Sequence, residues 1–386
     1  MSVDTTGPST DSALGPDPSG EGDAYTRTSG KKILIGLVGM IVTGYVMYTA
    51  FLSFGIFPEV YLDNKIVIGL VAVVVGVGGA ALLFMFLNMF VEGLPEKASL
   101  RLIPYAYLLP GFALIGLTLL YPAVQTIIYS FANGDSTAWV GFENYQIIFG
   151  DPEFRSSLFN NLLWLLIVPA VTVSIGIVVA VMADKLSTRG ESLSKSLIFL
   201  PMAISFVGAS AIWGLVYAYD AGDTQTGLLN AIWTQVGEAQ TWLQNDTLKL
   251  NSLLLMVIVV WLQVGFAMIL MSSAIKGVPE DTLEAARIDG ASEFQIFSRI
   301  IVPQIKGTTI TVFITVLILV LKIFDIVYVL TNGRFDTNVI ANLFYLELFK
   351  GSNAGQASAI VVILLLAITP VLIYQVRHFR NEEANG

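Results

Sequence analysis

Cysteine is absent from all 386 residues, which excludes a disulfide framework, a thiolate metal site and a cysteine nucleophile. Histidine occurs once, as His378 close to the C-terminus, so neither a histidine metal cluster nor a histidine proton relay can be built. Charge is also scarce: Asp, Glu, Lys and Arg together make 13% of the chain, too little to clothe a soluble domain of this length. No G-x-x-x-x-G-K-[ST] string occurs, so the chain is not expected to hydrolyse a nucleotide itself. No catalytic residue, no metal and no cofactor held by this chain is expected, and no nucleic-acid partner.

What is present is apolar. Hydrophobic residues make 55% of the chain and the mean hydropathy is +0.74. Runs long enough to cross a bilayer recur throughout, and a backbone in lipid must be a helix or a closed barrel; unbroken runs select helices. The expectation is an all-α polytopic membrane protein with about eight transmembrane helices, at roughly 33–56, 66–93, 103–130, 160–183, 197–219, 251–273, 308–330 and 356–376.

Basic residues sort these connections by side. Lys31, Lys32, Lys97, Arg101, Lys185, Arg189, Lys195, Lys276, Arg287, Arg299, Lys306, Arg377 and Arg380 fall on one set, and only Lys65, Arg155, Lys249, Arg334 and Lys350 on the other. The positive-inside rule then places both termini and the 274–307 segment in the cytoplasm. The loops near 131–159, 220–250 and 331–355 fall outside, with Trp139, Tyr145, Trp233 and Trp242 as an interfacial belt or a docking surface.

Residues 1–30 form a leader rich in Ser, Thr, Gly and Pro, with Asp4, Asp11, Asp17, Glu21 and Asp23. Such a composition predicts a disordered cytoplasmic segment. Two helices at 31–101 stand apart from a six-helix core at 102–380, and 381–386 is a short tail. Gly76-Val77-Gly78-Gly79 lies inside an apolar run and reads as close helix packing.

The connection at 274–307 is long and patterned. Val278-Pro279-Glu280-Asp281 suits a first helical turn; Leu283, Ala286 and Arg287 continue it, and Gly290 ends it. Ser292 can cap a second helix with Phe294, Phe297 and Ile301 on one face before Pro303. From spacing alone this is equally an amphipathic connection resting on its own helix ends.

The string Glu284-Ala285-Ala286, Gly290 and Val302-Pro303 resembles the cytoplasmic loop of ABC importer permeases. The resemblance extends over about 103–380, on Pro104-Tyr105 through Leu109-Pro110, Val140-Gly141-Phe142-Glu143-Asn144-Tyr145 and Phe199-Leu200-Pro201. Gly227-Leu228-Leu229-Asn230 and Phe324-Asp325-Ile326-Val327-Tyr328-Val329-Leu330-Thr331 carry it further. These look like the carbohydrate permeases of the maltose class, larger-subunit type. Val339-Ile340-Ala341-Asn342 and Arg377-His378-Phe379-Arg380 look most like the α-glucoside branch. Asn332-Gly333-Arg334-Phe335 departs from the commoner Gly-Gly-Gly-Pro, and the long periplasmic insert of enterobacterial maltose permeases is missing.

The resemblance implies a type I ABC importer permease architecture. Its partners would be a second permease subunit in a heterodimer, two ATPase subunits that bind ATP and Mg, an extracytoplasmic sugar-binding protein and the lipid bilayer. Glu284, Ala285, Ala286, Asp289, Gly290, Phe294, Phe297 and Pro303 would dock the ATPase. Trp261, Leu262, Gln263 and Phe266 resemble the pocket-lining helix, where Gln263 would bond hydroxyls and Phe266 stack on a ring; packed core is the competing reading of Trp261 and Phe266. Lys322 and Asp325, at i and i+3 of a predicted span, form a salt bridge or touch sugar hydroxyls. Maltose, trehalose and sucrose are the candidate cargoes. Glycerol 3-phosphate is disfavoured because cavity arginines do not cluster.

Two other classes compete. A secondary ion-coupled sugar transporter predicts ionisable groups scattered through several spans and inverted repeats with broken helices, whereas this chain offers one intramembrane charged pair. A non-transporting scaffold gives no reason for the patterned loop.

Overall fold

The structure is a computed structural model that describes residues 28–61, 64–222 and 225–385. The leader expected over 1–30 lies outside the described residues except for its last three positions. The chain forms two compact units, divided after Pro122.

In the first unit, α1 (Gly30–Ile56) and α2 (Lys65–Gly93) pack along each other, and α3 (Glu96–Ile115) follows α2. Ser29 and Asn64 cap α1 and α2 by accepting from the amides of Lys32 and Ile66, which satisfies donors that a helix start leaves free. Both helices present large apolar side chains outward, as lipid contact requires: Ile41 is 63% exposed and Val74 71%. Of the Gly76–Gly79 run only Gly79 serves close approach: a Cβ there would lie 2.3 Å from Met47 Sδ, whereas one on Gly78 would meet nothing within 4 Å. After a π-helical turn at Gly116–Leu120, α4 (Tyr121–Tyr129) carries the chain past Pro122.

The second unit begins with α5 (Glu143–Gly150), α6 (Pro152–Asp184), α7 (Thr188–Phe199), α8 (Phe206–Val216), α9 (Leu228–Trp233) and α10 (Leu250–Lys276). Then come α11 (Glu280–Ile288), α12 (Glu293–Ile296), α13 (Val302–Gln304), α14 (Lys306–Leu321), α15 (Asp325–Leu330), α16 (Ile340–Phe349) and α17 (Ala354–Asn385). Its core is built on α10, whose Leu255, Met256, Ile258, Leu262, Met268 and Met271 are all buried, with α6 and α14 packed around it. A second, smaller core joins Ile148, Phe154, Ile340, Leu343, Ala359 and Ile360. Among the described residues no strand forms; Ala132 and Trp139 make one isolated bridge.

Among the described residues six helices are long and apolar enough to cross a membrane, and eight spans result if each of two bent pairs counts once. The fold is thus all-α and polytopic, but four expectations change. The span expected at 197–219 is not straight: Thr188–Ala203 and Phe206–Val216 meet at 103°. Pro201 sits in a 3-10 turn there and Ser205 caps α8 by accepting from the Gly208 amide at 3.1 Å, so one residue stops a helix and another starts one.

The span expected at 308–330 likewise divides. Regular helix ends at Leu321, Phe324 takes non-helical angles, and α15 starts at Asp325. Third, the loop expected at 331–355 is largely structured, since α16 lies within it and Ile340, Asn342 and Leu343 are buried. Fourth, Trp242 is 8% exposed and donates to Asn230 Oδ1 at 2.8 Å, so it is packed and not part of a surface belt.

The 331–339 turn is fastened to two long helices. Asn160 of α6 donates to the carbonyls of Asp336 and Asn338 at 2.9 and 2.8 Å. Asn251 of α10 donates to the Phe335 carbonyl at 2.6 Å, and Lys249 pairs with the Asp336 carboxylate. These bonds hold Asn332, Phe335 and Asp336 at φ of 52°, 56° and 57°, a region that side chains disfavour. The Asn-Gly-Arg-Phe departure is therefore a tightly tied turn.

Candidate functional site

The 280–304 segment is two short helices at a designed corner. Pro279 precedes α11, Glu280 and Asp281 occupy its first turn, and Arg287 its last, so these three charges complement the helix dipole. At the exit the Gly290 amide donates to the Arg287 carbonyl at 3.1 Å and the Ala291 amide to the Ala286 carbonyl at 3.0 Å. That bond pair is a Schellman motif, and it needs the φ of +81° that Gly290 supplies. No atom would lie within 4 Å of a Cβ there, so conformation and not space demands glycine.

Ser292 then forms a capping box with Gln295: the Ser292 amide donates to Gln295 Oε1 at 2.8 Å and the Gln295 amide to Ser292 Oγ at 3.4 Å. A π-helical turn at Phe297–Ile301 and α13, which contains Pro303, complete the segment before a 69° bend into α14. Arg287 Nε donates to Glu293 Oε1 at 3.0 Å across the corner.

Of the eight residues expected to dock a partner, Glu284, Ala285, Asp289, Gly290, Phe294 and Pro303 are exposed, and Ala286 and Phe297 are half-buried. Phe294 is 75% exposed and Ile288 85%, leaving two large apolar side chains on a polar segment. The face expected to combine Phe294, Phe297 and Ile301 does not form as a unit. Ile296 is the anchor, at 1% exposure, and Phe294 points away from the packed side. Ile288 and Ile296 were both missed; Ile288 just before a glycine stop and Ile296 four residues after the Ser292 cap are the sequence signals that could have found them.

On α10, Leu262 is 2% exposed and belongs to the core, while Trp261 and Phe266 are half-buried against it. Trp261 meets Trp213 of α8 edge-on at 5.8 Å, and Trp213 meets Tyr217 at 5.3 Å. Gln263 is 7% exposed. A mostly buried amide on a core helix is a group that a polar ligand can use. Close by, Gly265 lets the backbone of α7 approach: a Cβ there would lie 2.4 Å from the Ile198 carbonyl oxygen.

Lys322 and Asp325 do not share a helical face, and among the described residues no ion pair joins them. Lys322 follows the last residue of α14 and Asp325 opens α15. Each charge faces the helix end that suits it, a cation at a C-terminus and an anion at an N-terminus, which is a physical reason for the break. A cleft of 540 Å³ between α14 and α17 is lined by Thr309, Phe313, Leu317, Pro370, Tyr374 and apolar neighbours, and holds none of the candidate pathway residues.

Broken apolar helices and an exposed, corner-shaped segment between spans fit the type I permease architecture that the resemblance implies. Residues 172–380 match the family of binding-protein-dependent transport system inner membrane components, and the chain belongs to that family. It is 48% identical over 279 residues to the osmoprotective compounds uptake permease protein GgtC of Synechocystis sp., covering 72% of this chain and 99% of that one. It is 44% identical over 283 residues to the alpha-glucoside transport system permease protein AglF of Rhizobium meliloti, covering 72% and 83%. Its fold is shared with a chain of a bacterial ABC transporter involved in the import of the acidic polysaccharide alginate: TM-score 0.63, 21% identity, 74% and 98% covered.

Proposed function

We propose that this chain is the larger-type permease subunit of an ABC importer that moves a small α-glucoside, trehalose or maltose, into the cytoplasm by alternating access. Family membership carries the importer reading, and the exposed Glu284–Phe294 corner supports a cytoplasmic dock for a separate ATPase. The α-glucoside reading rests on the relative named for alpha-glucosides. The relative named for osmoprotective compounds favours trehalose as the first cargo to test, because trehalose is both an α-glucoside and an osmoprotectant.

In this reading a second permease subunit completes the pathway, two ATPase subunits supply ATP and Mg chemistry, and an extracytoplasmic sugar-binding protein delivers cargo. Residues 31–101 are two added helices, 102–380 the transporting core, and both termini are cytoplasmic. ATP closes the ATPase pair, draws the 274–307 segments together and shifts the assembly toward its outward-open state. Trp261, Gln263 and Phe266 contribute to the sugar path, with Gln263 bonding hydroxyls and an aromatic face receiving the ring.

Uptake of labelled trehalose, maltose and sucrose into proteoliposomes holding the complete assembly tests this. ATP-dependent uptake that requires the binding protein is expected. Uptake driven by an ion gradient without ATP would install the secondary transporter instead.

A further inference from the structure

At the end of the second unit that carries 280–304, three helices meet on a cluster of ions that the sequence pattern does not reveal. Asp184 closes α6, Glu191 and Lys195 lie one turn apart on α7, and Ser272 and Lys276 one turn apart on α10. Lys195 Nζ is 3.1 Å from Asp184 Oδ1 and 2.5 Å from Glu191 Oε1, and donates to Ser272 Oγ. Ser272 Oγ donates to Asp184 Oδ1 at 2.8 Å. Lys276 pairs with Glu191 and stands 3.8 Å from Asp184. Asp184 and Glu191 are each 17% exposed and Lys195 20%, so the charges are mostly withdrawn from water. Ion pairs at this depth gain little net stability, because desolvation offsets the Coulomb attraction. What such a cluster does fix is geometry: one ammonium binds three partners on three helices.

The position of the cluster gives that geometry a use. Lys276 is the last residue of α10, and Pro279 caps α11 just beyond it. At its other end α7 is pressed on α10 again, where Gly265 admits Ile198 and Phe199. Gly265 and Lys276 are about 16 Å apart at ~1.5 Å per residue, so α7 is held at two separated points. Beyond the second point comes the 103° break into α8, whose Trp213 meets Trp261.

We infer that α7 is a strut which carries displacement of the 280–304 segment to the Phe199–Ser205 break, with Lys195 and Lys276 as its positioning residues. This rests on the reading of 280–304 as the ATPase dock. The two lysines touch neither sugar nor nucleotide. Their role is to keep α7 and the base of α10 moving together when the dock moves.

The chain has no cysteine, so within it only the introduced cysteines carry spin labels. Asp281→Cys reports the dock, Leu215→Cys (72% exposed) reports α8, and Val178→Cys (55% exposed) on α6 is the common reference. Distances 178–281 and 178–215 are measured in the complete transporter with and without ATP. Both are expected to shift in the wild-type background. In Lys195→Met the 178–281 shift should persist and the 178–215 shift should vanish, with sugar carried per ATP falling about tenfold, while Lys276→Arg behaves as wild type. If Lys195→Met does not assemble, Lys276→Gln, at a side chain 53% exposed, makes the same test and should give a partial loss. An unchanged 178–215 shift in these variants overturns the strut. No ATP-dependent 178–281 shift in the wild type overturns the docking reading, and the strut with it.

Discussion

Arg287 Nε lies 3.0 Å from Glu293 Oε1 and so joins the two helices of the 280–304 segment across Gly290. The side chains are 50% and 66% exposed, and surface pairs of this kind add little stability because water competes for both ions. The pair acts on the angle of the corner. Arg287→Gln should leave the thermal unfolding midpoint of the purified chain unchanged and reduce capture of the proposed ATPase partner in co-purification. A lowered midpoint with full capture would mean that the pair serves stability alone.

Gly290 is required for its φ of +81°. An L residue in this region costs about 1–2 kcal/mol, and Asn tolerates it better than Ala. Partner capture should therefore fall in the order Gly, Asn, Ala, Pro, with Gly290→Ala about 5- to 30-fold weaker if the strain is spent on docking. Equal capture by Asn and Ala would show that the corner forms without the left-handed residue.

Lys322 and Asp325 flank a helix break and are not paired with each other. Independent sites give additive effects within about 0.5 kcal/mol. A double-mutant cycle on Lys322→Ala and Asp325→Ala, read by chemical unfolding in detergent, should accordingly show an interaction below that figure. A coupling of about 1 kcal/mol or more would restore the salt bridge that their spacing suggests.

The same two residues mark where the sequence can be read and where it cannot. Apolar runs located α1, α2, α6, α10 and α17, because lipid imposes one requirement on every residue of a span. Pro279, Gly290 and Ser292 foretold the corner, since caps and reversals depend on local chemistry. Breaks inside apolar runs were hidden, as Ala-Ile-Ser-Phe beyond Pro201 stays apolar while stopping its helix, and the charges of Lys-Ile-Phe-Asp after Leu321 read equally as a pair on one unbroken helix. Long-range ties were hidden too: nothing local to Asp336 announces that Ser156, Asn160 and Lys249 will hold it. The choice of Ile296 over Phe294 as the anchor was hidden as well, since both are large apolar residues of one short helix.

Asp336 gives that tied turn a pH signature. Partial burial raises its carboxyl pKa, but the hydrogen bonds from Lys249 and Ser156 outweigh burial and leave it below the usual 3.8. A depressed folded value means that the carboxylate's contribution is fully present above the ordinary aspartate range and is lost as pH falls through the lowered value. Thermal stability followed from pH 6 downward should thus decline in the acid range by less in Asp336→Asn than in the wild type. Parallel curves would show that the turn does not depend on this charge.

Gly265 supplies the test of how tightly α7 is held. A Cβ there would stand 2.4 Å from the Ile198 carbonyl oxygen and 2.6 Å from Phe199 Cα, both backbone atoms that cannot rotate aside. Overpacking of this kind costs about 1–3 kcal/mol, so Gly265→Ala should lower the unfolding free energy in that range. The alternative is for α7 to swing away, but Lys195 anchors its other end to Asp184 and Ser272. Releasing that anchor should relieve the strain: in Gly265→Ala combined with Lys195→Met, the loss should be smaller than the sum of the single losses by about 0.5 kcal/mol or more. Strict additivity would mean that α7 is fixed by its packing along α10 and that the ion cluster does not constrain where the helix sits.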